Sequence, residues 1–185
     1  MKRVLLLAVF SILIGSVVTA QPGSIGLFAD PGGTTCDVYD EPGTVTVYVL
    51  HLSSPGATGS CFRVDWLSWG VTMMYMCETV TPPYLSIGSS DAGIAIAYGS
   101  CVVSPHMILA IQFCALGTTP PCSYIQVVAD TTYYDVPGIW VRDCGTPPST
   151  LRARGGDAVI NPDATCYCDV PVEETSWGRV KLLYR

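Results

Sequence analysis

From residue 24 onward the chain alternates between two signals: short runs with an apolar residue at every second position, and Pro/Gly groups that cut those runs off. Thr44–Leu50 is the clearest run, with Val45, Val47 and Val49 interleaved with Thr44, Thr46 and Tyr48. A period of two places one set of side chains on one side of an extended strand. Comparable runs occupy Ser24–Ala29, Cys61–Leu67, Val71–Cys77, Gly93–Tyr98, His106–Cys114, Cys122–Ala129 and Gly138–Cys144. Pro31-Gly32-Gly33, Pro55-Gly56, Pro82-Pro83, Pro120-Pro121 and Pro147-Pro148 fall between them as loop material. A helical bundle is excluded. The expected fold class is all-β, an antiparallel β-sandwich, and 185 residues suit one such domain.

The two ends read differently. Lys2 and Arg3 precede an apolar stretch, Val4–Val18, and Val18-Thr19-Ala20 offers small residues before Gln21. This is the pattern of a signal peptide removed after residue 20. No later stretch is long enough to span a bilayer; Met107–Leu116 is interrupted by Gln112 and reads as a strand. At the other end Glu173 and Glu174 precede Thr175 and Ser176, and Trp177, Val180 and Tyr184 recur at helical spacing. A short C-terminal helix over Ser176–Tyr184 is expected. The layout is then a leader at 1–20, a sandwich domain at 21–172 and a tail at 173–185. The expected location is outside the cytoplasm: extracellular, cell-surface or periplasmic. Lys+Arg is 9 against Asp+Glu 15, a net charge of −6, which leaves no basic surface for nucleic acid.

All nine cysteines follow the leader. In an exported chain they are read as disulfides. Cys-x-x-Cys never occurs, and His51 and His106 lie far from the tight pair Cys166-Tyr167-Cys168, so neither a metal site nor a cofactor is expected. Two pairings follow from strand registers. A turn at Ser68-Trp69-Gly70, with Gly70 left-handed, makes a hairpin that sets Phe62 against Met76 and Val64 against Met74. That hairpin brings Cys61 opposite Cys77. A meander pairing Cys122–Ala129 with Gly138–Cys144 sets Ile125 on Val141 and Val127 on Ile139, and brings Cys122 opposite Cys144. His106–Cys114 joins the same meander, which makes Cys114 a rival partner for Cys122. Nine is odd, so one thiol stays free, buried or bonded to another chain.

Catalytic patterns are sparse. Gly-x-Ser-x-Gly is absent beyond the leader, and no phosphate loop or dinucleotide fingerprint occurs. His51 and His106 sit at strand ends and read as structural. Asp157, Asn161 and Asp163 depart from calcium-loop spacing, and turn chemistry around Asn161-Pro162-Asp163 is the better account. One face could recognise a ligand. In the meander register Tyr124, Gln126, Trp140 and Arg142 point outward together, and flat aromatics beside amide and guanidinium donors stack on a sugar or anchor a protein partner. The plain alternative is a face covered by a loop, or an ordinary Tyr124–Arg142 cation–π pair.

Gly43-Thr44-Val45-Thr46-Val47-Tyr48 followed by Phe62-Arg63-Val64-Asp65 resembles the opening strands of cohesin-type and related immunoglobulin-like sandwiches. Gly155–Asn161, Cys166 and the tail Thr175-Ser176-Trp177-Gly178-Arg179-Val180-Lys181-Leu182-Leu183-Tyr184-Arg185 are similar to the ends of uncharacterised exported proteins of environmental bacteria. The resemblance implies export and a sandwich, and brings no activity and no site residue. The expected function is a non-enzymatic binding or structural module for a glycan or protein at the cell surface. The rivals are a small secreted hydrolase, which needs a His or carboxylate pair in a cleft, and a subunit of an extracellular assembly.

Overall fold

The computed structural model describes residues 23–52 and 54–168. The expected signal peptide and the expected helix at Ser176–Tyr184 lie outside the described residues. In chain order the strands are β1 (Ser24–Phe28), β2 (Asp37–Val38), β3 (Gly43–Leu52), β4 (Ala57–Asp65), β5 (Met74–Val80), β6 (Leu85–Ser89) and β7 (Gly93–Val102). They continue as β8 (His106–Ala115), β9 (Ser123–Val128), β10 (Trp140–Asp143), β11 (Thr150–Arg152), β12 (Arg154–Gly155) and β13 (Asp157–Ile160).

Two sheets face one another. The smaller runs β12-β1-β3-β8-β5. The larger runs β11-β10-β4-β9-β13-β2, with β7 on the second edge of β4 and β6 outside β7. Period two does the work its physics requires. Ile25, Leu27, Val47, Val49, Leu109, Ile111 and Phe113 point inward from the smaller sheet. Phe62, Val64, Ile94, Ile96, Ile125, Val127 and Val141 meet them from the larger. A fully buried side chain of this kind stabilises the fold by roughly 1.5–3 kcal/mol before entropy is counted. The chain changes sheets between β12 and β13, and Gly155 is required there: a Cβ at that position would stand 2.1 Å from the Val127 carbonyl oxygen.

Both expected hairpins are corrected. The turn itself is as read, a 3₁₀ turn at Leu67–Trp69 ending on Gly70 at φ +84°. It does not fold β5 back onto β4; it carries the chain from the larger sheet to the smaller one. Phe62 pairs with Ile94 and Val64 with Val127, while β5 lies along β8. Met74 and Met76, expected inside, are 55 % and 52 % exposed. Each strand still buries one face, but against the facing sheet rather than beside its sequence neighbour.

The meander fails for a related reason. β9 and β10 both run along one edge of β4, end to end, β9 against Arg63–Asp65 and β10 against Ala57–Cys61. Between them residues 129–139 leave the edge and return through a bridge between Asp130 and Gly138. β8 belongs to the other sheet, so Leu109 and Ile111 share the core with Ile125 and Val127 but no ladder.

The disulfide map changes accordingly. The bonds are Cys36–Cys168, Cys101–Cys144 and Cys122–Cys166, with Cα separations of 5.5, 5.6 and 5.8 Å. Cys61 and Cys77 sit in different sheets and are not bonded to each other; with Cys114 they are free thiols. Cys122 and Cys144 lie at the far ends of the β9–β10 line, which is why they take other partners.

Candidate functional site

The outward face of the larger sheet carries a trough, and the pairing registers show how it is made. One cross-strand row reads Leu85, Ala97, Gly59, Arg142, and the next reads Ile87, Ala95, Cys61, Trp140. Each row is large, small, small, large across β6, β7, β4 and β10. Small outward residues on the two middle strands leave a floor, and the large ones at either side stand up as walls. The concavity is about 550 Å³ and is also lined by Thr58, Tyr133 and Tyr134. Leu85 and Ile87 are 75 % and 70 % exposed.

The far wall is held by the 129–139 excursion. Asp130 is fully buried at its base. Its Oδ2 accepts hydrogen bonds from the Thr132 N–H (3.0 Å), the Tyr133 N–H (2.9 Å) and the Cys61 thiol (3.3 Å). Thr132 Oγ1 donates to the Ala92 carbonyl at 3.1 Å, which ties the excursion to the turn between β6 and β7. Tyr133 reaches across to β6, where a Cβ on Gly88 would stand 2.2 Å from its hydroxyl oxygen. The Trp140 indole donates to the Val136 carbonyl at 3.2 Å, and Tyr134 lies 5.3 Å from its ring centroid. Arg152 places its guanidinium 5.2 Å from the Trp140 centroid and donates to the Pro137 carbonyl at 2.8 Å.

The lining of the trough is largely apolar. Its lining contains no carboxylate and no histidine. The Cys61 thiol is pushed up to about 12, by burial first and by its neighbour Asp130 second, so it stays protonated. Among the described residues one group of ligand-type side chains comes together, Cys122, Asp163 and Cys166, and the two cysteines are joined to each other.

Of the expected site residues, Trp140 and Arg142 line the trough and Tyr124 and Gln126 do not. The register puts all four outward, as period two requires, but Gln126 lies opposite Asp65 and Trp140 opposite Cys61. Four residues of β4 separate them, about 13 Å. Gln126 instead sits opposite Asp157, whose carboxyl partial burial holds above its ordinary value. Asn161 and Asp163 are turn residues, as read: Asn161 adopts φ +51° with its amide bonded to Asp40 N–H and the Thr119 carbonyl, and Asp163 accepts from Thr165 at 2.7 Å. Leu85, Ile87, Ala95, Ala97, Gly59, Tyr133 and Tyr134 had no counterpart in the sequence reading. Ile94-Ala95-Ile96-Ala97 was the available signal, a strand with one bulky face and one small one.

The two histidines, distant in sequence, are cross-strand neighbours in β3 and β8. They close one end of the core with Tyr84 and Tyr98: Tyr84 shares a hydrogen bond with His106 Nε2, and Tyr98 donates to Ser60 Oγ at 2.8 Å. Burial holds His106 below its ordinary value. A histidine depressed in the folded state is protonated more readily once unfolded, so stability is expected to fall as pH drops below about 6.5. The loss levels off beneath the lowered folded value. Denaturant melts between pH 7.5 and 5 check this, and His106→Gln should remove that part of the slope.

Comparison with solved structures finds cohesin modules. A cohesin module from a family 33 glycoside hydrolase of Clostridium perfringens superposes with a TM-score of 0.51 at 6 % identity, over 76 % of this chain and 98 % of that one. The fold is cohesin-like. Two cohesins of Acetivibrio cellulolyticus, each solved in complex with a dockerin, give 0.45 and 0.43 at 13 % and 9 % identity, over 76 % and 74 % of this chain and 99 % and 98 % of theirs. Comparisons with family models and with curated proteins give no match. Among the described residues no helix is long and apolar enough to cross a membrane.

Proposed function

We propose that the protein is an exported, non-enzymatic module that binds an apolar segment of a protein partner in the trough between β6 and the 129–139 excursion. The observation that carries this is the pair of large–small–small–large rows, which leave Leu85 and Ile87 standing exposed beside a floor of Gly59, Ala95 and Ala97. A preformed apolar concavity with few polar groups suits a peptide or protein surface. A sugar ring has less to stack on, because the Trp140 ring already carries Arg152 and Tyr134. Export is supported by the Lys2-Arg3 and Val4–Val18 leader pattern and by the three disulfides.

The test is a displayed random-peptide library panned on the purified protein, beside a glycan array. Enriched peptides should carry two apolar residues two positions apart, matching the spacing of Leu85 and Ile87. Ala97→Trp fills the floor from an exposed position and should leave the melt unchanged while weakening those peptides at least tenfold. Equal binding to Ala97→Trp, or enrichment on the glycan array alone, refutes the peptide trough.

A further inference from the structure

Four sulfur-bearing residues share one region of the smaller sheet, on the side away from the core. Met74 of β5 lies directly opposite Cys114 of β8, and Cys77 lies directly opposite Gln112. Phe113 between them points into the core and is fully buried. Cys114 and Gln112 therefore share the outward face, and Met74, Cys114, Gln112 and Cys77 mark the corners of one quadrilateral, exposed on β5 and half-buried on β8. A bulge between Tyr75 and Cys77 adds Met76 at its rim, also exposed. β5 is the edge strand of its sheet, so no further strand of the described residues lies beyond it.

Both thiols are free, in a chain whose other cysteines apart from buried Cys61 are all in disulfides. The register explains why they are not joined to each other. They stand on a diagonal, where neighbouring residues are roughly 7–8 Å apart and their Cβ atoms somewhat less, still well beyond the ~3.8 Å that a disulfide spans. An ion held between them removes that mismatch, since each metal–sulfur bond adds about 2.3 Å by analogy with zinc thiolates. Met74 and Met76 have the reach and flexibility to bring a thioether to the same point.

We propose that Cys77, Cys114 and the thioethers of Met74 and Met76 form a binding site for a soft monovalent cation, copper(I). Thiolates and thioethers together select that class of ion over zinc, magnesium or calcium. The hard donors nearby are few. Gln112 offers a carbonyl oxygen 3.3 Å from Cys77 Sγ, and Glu78, next along β5, turns its carboxylate to the Ser90 N–H at 3.1–3.2 Å. Binding exchanges the two thiol protons for the ion and releases them to solvent; no electron moves. The site is separate from the trough, and its success or failure leaves the peptide reading untouched.

The probe is copper(I) itself, supplied anaerobically as its bicinchoninate complex to the purified full chain, without thiol reductant so that the disulfides persist. The protein should withdraw one copper(I) per chain and develop near-ultraviolet thiolate-to-copper absorption. Cys77→Ser and Cys114→Ser should each weaken binding at least tenfold, and Met74→Leu several-fold, with unchanged melts because all three positions lie outside the core. Cys61→Ala should leave copper binding as it was. The proposal is overturned if no copper leaves the chelator, if both serine variants bind as the parent does, or if peptide mapping of the native protein finds Cys77 and Cys114 oxidised to each other.

Discussion

Phe113→Ala should be the most damaging single truncation in the described chain, at about 3–5 kcal/mol. Phe113 is fully buried in β8 and meets two rings edge-on, Trp66 at 5.3 Å and 79° and Tyr75 at 6.4 Å and 81°. Those two rings in turn stack on each other at 5.7 Å and 12°. Trp66 follows β4 of the larger sheet and Tyr75 lies in β5 of the smaller, so the three rings bind the crossing between sheets to the core. Each edge-on pair adds about 0.5–1.5 kcal/mol beyond the area buried. The cavity left by alanine is bounded by rigid sheet on both sides and has little scope to collapse. The melting temperature should fall by roughly 10 °C in a domain of this size. Met74→Ala, on the exposed face of the same ladder, should stay within about 0.5 kcal/mol. A Phe113→Ala loss under 1 kcal/mol in a denaturant titration would show that Trp66 does not pack across the core.

Which side faces inward was legible from the residues for most strands but not for β5, where Met74 and Met76 point outward and Tyr75 packs on the core, and which strand lies beside which was not legible. Ile125, Val127 and Val141 are buried as their alternation requires, and Gly70 takes the left-handed conformation its turn needs. Alternation alone permits β5 either to fold back onto β4 with Met74 and Met76 inside or to cross to β8 with Tyr75 inside, because each arrangement buries one side. Partner choice is set by the whole sandwich closing at once, and no local pattern encodes it. The disulfide errors are consequences of that one ambiguity. Residues 129–139 did carry a warning: Asp130-Thr131-Thr132-Tyr133-Tyr134-Asp135-Val136-Pro137 is too long for the two-to-five-residue connection that hairpins favour. Nothing in the neighbours of Asp130 announces a buried anchor.

Asp130→Ala should therefore separate anchoring from packing. Alanine removes the acceptor that holds the Thr132 and Tyr133 amides and the Cys61 thiol. Hydrogen bonds to a charged group contribute about 1.5–3 kcal/mol each, but not all of that is lost. Asp130 Oδ1 is buried with no hydrogen-bond partner among the described residues, so deleting the carboxylate also relieves a desolvation cost. A net loss of about 2 kcal/mol is expected. The effect on the trough should be larger, because Tyr133 and Tyr134 are oriented through these bonds. Limited proteolysis should begin to cut within 131–137, and peptides selected on the parent should bind at least tenfold more weakly. Asp130→Asn keeps an oxygen to accept from the two amides, and its NH₂ takes the place of one carboxylate oxygen. With an oxygen kept for these donors, it should hold peptide affinity close to the parent's. The Cys61 thiol, relieved of the carboxylate but still buried, should titrate lower than in the parent while remaining above an ordinary cysteine. If the asparagine variant loses binding as fully as the alanine one, charge rather than anchoring governs the excursion, and the wall of the trough is electrostatic in origin.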